Sequence, residues 1–149
     1  PPRYALAPFD DLDADIILRS SDNIDFRVSR FILRLASPFF ASMLEIGQTA
    51  SDGAQADGDE IRDGCRVVPV SENSATLDTL LRVIYPQEDP PLDDFTRLAD
   101  VLAAALKYDM VKATTLTGTK LRGFVAQDPV RVWAVAVRNR LEVEARLAA

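Results

Sequence analysis

The sequence of 149 residues contains no histidine and one cysteine, Cys65. Histidine is the commonest general base and metal ligand, so its absence excludes Ser-His-Asp triads, Cys-His pairs and histidine-based metal sites. A single cysteine allows neither an internal disulfide nor a cysteine cluster for zinc, which fits a reducing compartment. We therefore expect an intracellular protein, in the cytoplasm or the nucleus, that holds no metal or cofactor.

Positive charge and long apolar runs are also scarce. The chain has 17 Lys and Arg residues against 23 Asp and Glu, a net charge of −6. A nucleic-acid partner would need clustered Lys and Arg, and no apolar run approaches the roughly 20 residues of a membrane-spanning helix. Composition thus excludes nucleic acid and membrane as partners, and the length predicts one globular domain over residues 1–149.

The N-terminal part predicts an arm and a hairpin. Residues 1–12, PPRYALAPFDDL, are rich in proline with isolated apolar residues, which is typical of an extended arm. The runs DADIILRS and IDFRVS, separated by polar residues, predict two paired strands. Alternation in the second strand predicts Ile24, Phe26 and Val28 on the buried side and Asp25, Arg27 and Ser29 on the solvent side.

The stretch SRFILRLASPFFASML, residues 29–44, has apolar residues at helical spacing but is interrupted by Pro38. Serine is favoured as an N-cap and proline at the first helical position. We therefore predict two abutting helices, residues 29–36 and 38–45, with Ser37 capping the second. The aromatic residues Phe39 and Phe40, at helical spacing, are expected in the core.

The remaining chain predicts a loop, a strand and a series of helices. Residues 46–64 are rich in Gly, Asp, Ala and Ser and predict a flexible acidic loop. CRVVPVS predicts a strand, with Pro69 near a sheet edge. Three apolar patterns then predict helices in SATLDTLLRVIYP, DFTRLADVLAAALKYDM and VKATTLTGTKLRGFV.

Residues 128–149 predict a C-terminal helical extension. Asp128 and Pro129 form a cap like that of Ser37 and Pro38, and a second short helix is expected from Glu142. One stripe of the first helix should be buried, and it consists of Val130, Trp133, Ala134, Val137 and Leu141.

Several segments resemble the BTB/POZ domain. DADIILRSSDNIDFRVSRFILRLASPFFASML is similar to its opening, in which an alanine and an Asp precede a hydrophobic strand, an F-x-V hairpin end and an L-x-x-x-S-x-x-F helix. LDTLLRVIYP and LAAALKYDM resemble two later segments. The resemblance spans residues 12–125 and is closest to fungal members with an acidic, Gly-rich insert. It implies an α+β fold, a short β-sheet with a hairpin plus a cluster of five or more α-helices.

The resemblance implies a protein-protein interaction module rather than an enzyme. Members of the family dimerise, recruit corepressors or act as substrate adaptors on cullin scaffolds in ubiquitin ligases. We expect a homodimer that recruits an unidentified protein, a cullin or a corepressor among the candidates, and no small-molecule substrate. Three alternatives stay open: an adaptor of a cullin-RING ubiquitin ligase, the oligomerisation domain of a transcription regulator, and a histidine-free enzyme that uses two carboxylates.

Site residues follow from the same resemblance. The expected dimer interface comprises Leu6, Phe9, Leu12, Arg30, Phe31 and Arg34. Asp15 and Arg30 match a charged pair at the groove between subunits, or form a salt bridge that ties strand to helix. The arm either pairs with the other subunit or folds onto its own domain. The expected cullin contact comprises Tyr85, Pro86 and Glu88.

Two further groups of residues have ordinary structural interpretations. Glu88, Asp89, Asp93 and Asp94 form an acidic turn, which we interpret as a solvated face because adjacent acids in a turn point in different directions. Cys65 is interpreted as an inert thiol.

Overall fold

The computed structural model describes residues 1–49 and 60–140, and the side chains of all of these except 46–49. The chain divides into two compact units, Pro1–Leu77 and Asp78–Ala149. The expected helix from Glu142, Leu141 of the predicted stripe and the middle of the predicted loop lie outside the described residues. The described elements are β1 (Arg3–Tyr4), β2 (Ile16–Arg19), β3 (Ile24–Val28), α1 (Arg30–Ala36), α2 (Pro38–Thr49), β4 (Ile61–Arg62), β5 (Cys65–Pro69), α3 (Ser74–Ile84), α4 (Phe95–Lys107), α5 (Val111–Gly123) and α6 (Pro129–Arg138).

The first unit contains a mixed sheet with the strand order β1-β3-β2-β5-β4. Strands β2 and β3 are antiparallel, as the hairpin prediction requires, and Asn23 in their turn has a φ of 62°. Asparagine tolerates this left-handed conformation better than most residues. Strand β1 pairs with β3 in parallel, so part of the N-terminal arm belongs to the sheet of its own chain.

Both sides of β3 are covered. Asp25 and Arg27, predicted to face solvent, are buried. Arg27 is covered by the arm, because its amide donates to the carbonyl of Phe9 at 2.8 Å and its guanidinium donates to the carbonyl of Asp11 at 3.0 Å. The Asp25 carboxylate is covered by Arg19 and Arg62, which both donate to it. The alternation predicted the strand correctly but was wrong about the solvent exposure of these two residues.

The serine and proline cap of α2 is confirmed. Helix α1 ends at Ala36, and the next helix begins at Pro38. The Ser37 side chain is buried and accepts a hydrogen bond from the Phe40 amide at 3.1 Å. Ser29 caps α1 in the same way by accepting from the Ile32 amide at 3.3 Å. Pro38 therefore starts a helix rather than kinking one.

Two details of this region differ from the sequence prediction. Helix α2 continues to Thr49, and residues 61–62 form β4, so the predicted loop of residues 46–64 is too long at both ends. Of the two aromatic residues assigned to the core, Phe40 is buried but Phe39 is 43% exposed. The rings of Phe39 and Phe40 contact each other edge to face, with centroids 5.4 Å apart, so Phe39 lies at the border of the core.

The second unit has its own apolar core, built mainly by α4, α5 and α6. Its buried members are Leu92, Phe95, Leu98, Ala99, Leu102, Leu121, Val132 and Val135. The Asp128 side chain accepts from the Arg131 amide at 3.1 Å at the start of α6, which confirms the predicted cap. Lys112 of α5 donates to the carbonyl of Val83 near the end of α3 at 2.7 Å, and this bond satisfies one of the last carbonyls of that helix.

Helix α6 packs on a different side from the one predicted. Its buried residues are Val132, Val135 and Ala136, whereas the predicted stripe of Val130, Trp133, Ala134 and Val137 is exposed. The sequence VRVWAVAV is apolar on almost every side of a helix. Periodicity alone therefore could not decide which side faces the core.

Candidate functional site

The N-terminal arm divides its expected interface residues between core and surface. Phe9 is fully buried and packs on Phe26, with ring centroids 5.6 Å apart. Leu6 and Leu12 are each 83% exposed. Phe9 thus packs within its own chain and is not available to a partner while the arm is in place, and its assignment to a dimer surface stays a prediction. Leu6 and Leu12 remain available.

Arg27 holds the second half of the arm. Its buried guanidinium donates to the backbone carbonyls of Asp11, Leu12 and Ala14 at distances of 3.0 to 3.3 Å. These carbonyls and the Tyr4 ring, 5.9 Å away, surround the positive charge with partial negative charge. A buried cation with this many hydrogen bonds fixes the path of residues 11–14 across the sheet.

Helix α1 presents an exposed apolar edge. Phe31 and Leu35 are 60% and 72% exposed and lie four residues apart, on the same side of the helix. Arg34 is exposed and Arg30 is half-buried. Sequence reasoning missed Leu35 and Phe39 as surface residues. A usable signal existed, because the seven-residue helix RFILRLA has apolar residues on all sides and cannot bury every one.

Asp15 and Arg30 contact each other, but through the backbone of Arg30. The Arg30 amide donates to a carboxylate oxygen of Asp15 at 2.8 Å. This amide lies in the first turn of α1, where the helix itself offers no acceptor and where negative charge is favoured. Asp15 therefore ties the start of β2 to α1 by a contact that any residue at position 30 other than proline could make.

A charged cluster, which sequence reasoning missed, is centred on the buried carboxylate of Asp25. Arg19 donates to its two oxygens at 2.7 and 3.0 Å, and Arg62 donates at 2.6 Å. Glu60 accepts from Arg19 at 2.6 Å. Burial alone would raise the pKa of Asp25, but the hydrogen bonds from Arg19 and Arg62 outweigh burial and lower the pKa of this carboxyl below its ordinary value.

Tyr4 joins β1 to the same cluster. The Arg62 guanidinium lies 4.0 Å from the centre of the Tyr4 ring, and the Tyr4 hydroxyl donates to the carboxylate of Asp63. Burial of the hydroxyl, followed by its bond to Asp63, raises the pKa of Tyr4. The four strands β1, β2, β3 and β4 thus each contribute a side chain to one electrostatic cluster.

The expected cullin-contact residues lie between α3 and α4. Tyr85 is half-buried, whereas Pro86 and Glu88 are exposed. Glu88 lines an open groove of about 840 Å³. The groove residues are Asp78, Thr79, Arg82, Glu88, Asp89, Pro90, Pro91, Asp93, Asp94 and Arg97.

The acidic turn is part of this groove. Its carboxylates face two arginines, of which Arg82 pairs with Asp78 at 2.7 Å. Asp89 lies 3.7 Å from the ammonium of Lys112. Among the residues that the structure describes, no cluster of acidic or cysteine side chains is arranged to hold a metal ion.

Comparisons with known proteins agree with this architecture. A family model described as the BTB/POZ domain matches residues 9–123, from the buried Phe9 to the last residue of α5. No curated protein matches the chain. Within residues 1–49 and 60–140, no helix is long and apolar enough to cross a bilayer. The five-stranded mixed sheet with six helices in the described residues is the α+β arrangement expected of a BTB fold. The chain belongs to the BTB/POZ family, whose domain is a protein-protein interaction module.

Proposed function

We propose that this chain is a homodimerisation and partner-recruitment module that catalyses no reaction. The dimer surface consists of Phe31, Leu35 and Phe39 on α1 and α2, together with Leu6 and Leu12 on the arm. This set of residues is called the α1 surface below. The observation that carries the proposal is the exposure of these five large apolar side chains.

The energetic reason is the cost of leaving such side chains in water. Burying one large apolar side chain contributes roughly 1.5 to 3 kcal/mol. A second copy of the chain offers the same apolar surface, and a two-fold axis would place each α1 surface against its equivalent. Arg30 and Arg34 would then lie at the rim of the interface, where charges affect the association rate more than the affinity.

The arm is proposed to stay on its own chain in this dimer. Phe9 is fully buried there and Arg27 binds three carbonyls of the arm. Exchange of the arm between subunits would first have to break these contacts. Leu6 and Leu12 can reach a partner without that cost, because both are exposed while the arm is folded.

Charge substitutions on α1 test the proposal. The double variant Phe31→Asp, Leu35→Asp puts two carboxylates into the interface, and we expect it to sediment as a monomer at concentrations where the unchanged chain is a dimer. Val111→Asp is the matched control, because Val111 is 74% exposed on α5. If the double variant remains dimeric, the interface lies elsewhere on the molecule.

A second candidate partner is a cullin scaffold, with a corepressor as the alternative. The supporting observation is that Pro86 and Glu88 are exposed beside the open groove between α3 and α4. Pull-down of a purified cullin N-terminal domain by the unchanged chain, with loss on Glu88→Lys, would support an adaptor. If the unchanged chain does not retain the cullin, the adaptor function is refuted and a corepressor remains as the candidate partner.

The domain organisation is part of the same proposal. We propose one BTB/POZ-like domain over residues 1–149, because the family match runs from residue 9 to residue 123 and includes parts of both compact units. Residues 128–149 are then an extension beyond the matched region. The similarity to fungal members and a place in the cytoplasm or nucleus stay predictions.

A further inference from the structure

We propose that the outward side of α6, with the groove between α4 and α6, binds an amphipathic helix of a partner protein that carries carboxylates along one edge. This surface is separate from the α1 surface proposed for self-association. It also lies largely outside the matched family region, which ends at residue 123. The proposal therefore does not depend on the dimer.

The outward side of α6 is apolar along its length. Val130 is 73% exposed, Val137 is 50% exposed, and Trp133 is 46% exposed between them. Ala134 is exposed on the same side. These four residues are called the α6 face. Their spacing of three, four and seven residues is the pattern by which one helix packs along another.

The α6 face is anchored firmly. Val132, Val135 and Ala136, on the opposite side of the helix, are buried. Asp128 caps the first turn and Pro129 is the first helical residue. Exposure of the α6 face is therefore not a sign of a helix that is loosely attached to the second unit.

A groove continues the α6 face toward α4. It has a volume of about 300 Å³, and its lining residues are Phe95, Thr96, Ala99, Asp100, Arg131, Ala134, Val135 and Arg138. Ala134 belongs to both the groove and the α6 face. One bound helix can therefore cover the α6 face and insert a side chain into the groove.

The charges around the groove select the partner. Two arginines, Arg131 and Arg138, line it against one carboxylate, Asp100, although the whole chain has a net charge of −6. Arg131 is held over the Phe95 ring at 4.2 Å and is 3.8 Å from Asp128. Because the arginines are seven residues apart on α6, a helix with carboxylates at the same spacing would face both.

A second copy of this chain is a poorer occupant. Its α6 face would bring the same pair of arginines and no compensating row of carboxylates. A neutral apolar helix would cover the valines and Trp133 but would leave both arginines without a new partner. The acidic amphipathic helix satisfies the apolar surface and the charged edge together.

The chain contains one tryptophan, Trp133, so its fluorescence reports directly on the α6 face. The probes are two synthetic helical peptides with the same row of leucines, one with a Glu edge and one with a Lys edge. We expect the Glu peptide to shift the Trp133 emission of the full chain to shorter wavelength in a saturable way. The Lys peptide should bind at least about tenfold more weakly.

Charge reversal distinguishes specific recognition of the carboxylates from nonspecific hydrophobic binding. In Arg138→Glu, and in the double variant with Arg131→Glu, the preference should shift toward the Lys peptide. If the arginines had only a structural role, the substitutions would weaken the binding of both peptides equally. The single variant is the safer one, because Arg131 also packs on Phe95. Circular dichroism confirms that each variant folds.

Three results would overturn the proposal. Equal binding of the two peptides would show that charge does not select the partner. A wavelength shift that depends on protein concentration without peptide would assign the α6 face to a second copy of the chain. If neither peptide shifts the emission until residues 141–149 are removed, that segment of the same chain is the occupant.

Discussion

The guanidinium of Arg62 in β4 donates to the buried carboxylate of Asp25 in β3 at 2.6 Å, although β5 and β2 lie between these strands in the sheet. Arg19 of β2 binds the same carboxylate from within the sheet. Asp25 thus connects an edge strand to the centre of the first unit. The charged cluster therefore ties together the strands of the sheet against which the arm and α1 lie.

Replacing Asp25 should destabilise the chain severely. Asp25→Asn removes the buried negative charge that Arg19 and Arg62 share, and removing one partner of a buried ion pair is strongly destabilising. Urea unfolding of the variant should therefore show a much lower midpoint. Asp78→Asn is the control, since its pair with Arg82 is partly exposed and contributes less than about 1 kcal/mol. Equal midpoints for the two variants would refute the role given to Asp25.

Stability should fall in acid. The hydroxyl of Ser74 donates to Asp22 and lowers the pKa of Asp22 below its ordinary value, and the hydrogen bonds from Arg19 and Arg62 do the same to the pKa of Asp25. The unfolded chain therefore takes up these protons at higher pH than the folded chain, so the free energy of unfolding decreases as pH falls from about 5 toward 3. Urea unfolding at a series of pH values measures this decrease.

Asp22→Asn isolates one group in the pH series. The difference in stability between the unchanged chain and Asp22→Asn should be largest near neutral pH and shrink as Asp22 becomes protonated in the folded chain. A difference that stays constant down to pH values of about 3 would contradict the lowered pKa of Asp22.

Two arm residues should separate stability from association. Phe9→Ala removes a fully buried ring that packs on Phe26 and should cost about 3 to 5 kcal/mol of folding free energy. Leu6→Ala changes an exposed residue and should change the free energy of unfolding by no more than about 0.5 kcal/mol, while it weakens the dimer. Unfolding curves and sedimentation of the same samples test both statements. An unstable Leu6→Ala variant or a stable Phe9→Ala variant would contradict the placement of the arm.

Asp15 and Arg30 should respond unequally to substitution. Asp15→Ala removes the acceptor of the Arg30 amide and should cost about 0.5 to 2 kcal/mol, as other helix-capping side chains do. Arg30→Ala keeps the amide that donates to Asp15 and should therefore lower the free energy of unfolding by less. If Asp15→Ala retains both stability and self-association, Asp15 has neither a structural nor an interface role. If Arg30→Ala is the more damaging variant, the side chain rather than the amide of Arg30 matters.

Local signals were sufficient to predict much of the fold. Ser37 and Pro38 predicted where α2 begins, because a cap is decided by neighbouring residues. Asp128 and Pro129 did the same for α6. The motifs shared with other BTB domains predicted the family and hence a short β-sheet with a cluster of helices, whereas the mixed strand order is seen only in the structure.

The errors arose where the answer depends on distant parts of the chain. Arg27 was expected in solvent because its contacts with residues 11–14 follow from the path of the arm, not from β3 itself. Asp25 is bound by Arg62, a residue 37 positions away. Helix α6 is apolar on nearly every side, so only packing against α4 and α5 decides that Val132 is buried and Val130 is exposed.

The mass of the purified chain in solution, measured by light scattering over a dilution series, tests self-association most directly. We expect twice the chain mass of 16.4 kDa, persisting on dilution into the micromolar range and lost in the double variant Phe31→Asp, Leu35→Asp. A mass of 16.4 kDa at every concentration would contradict it.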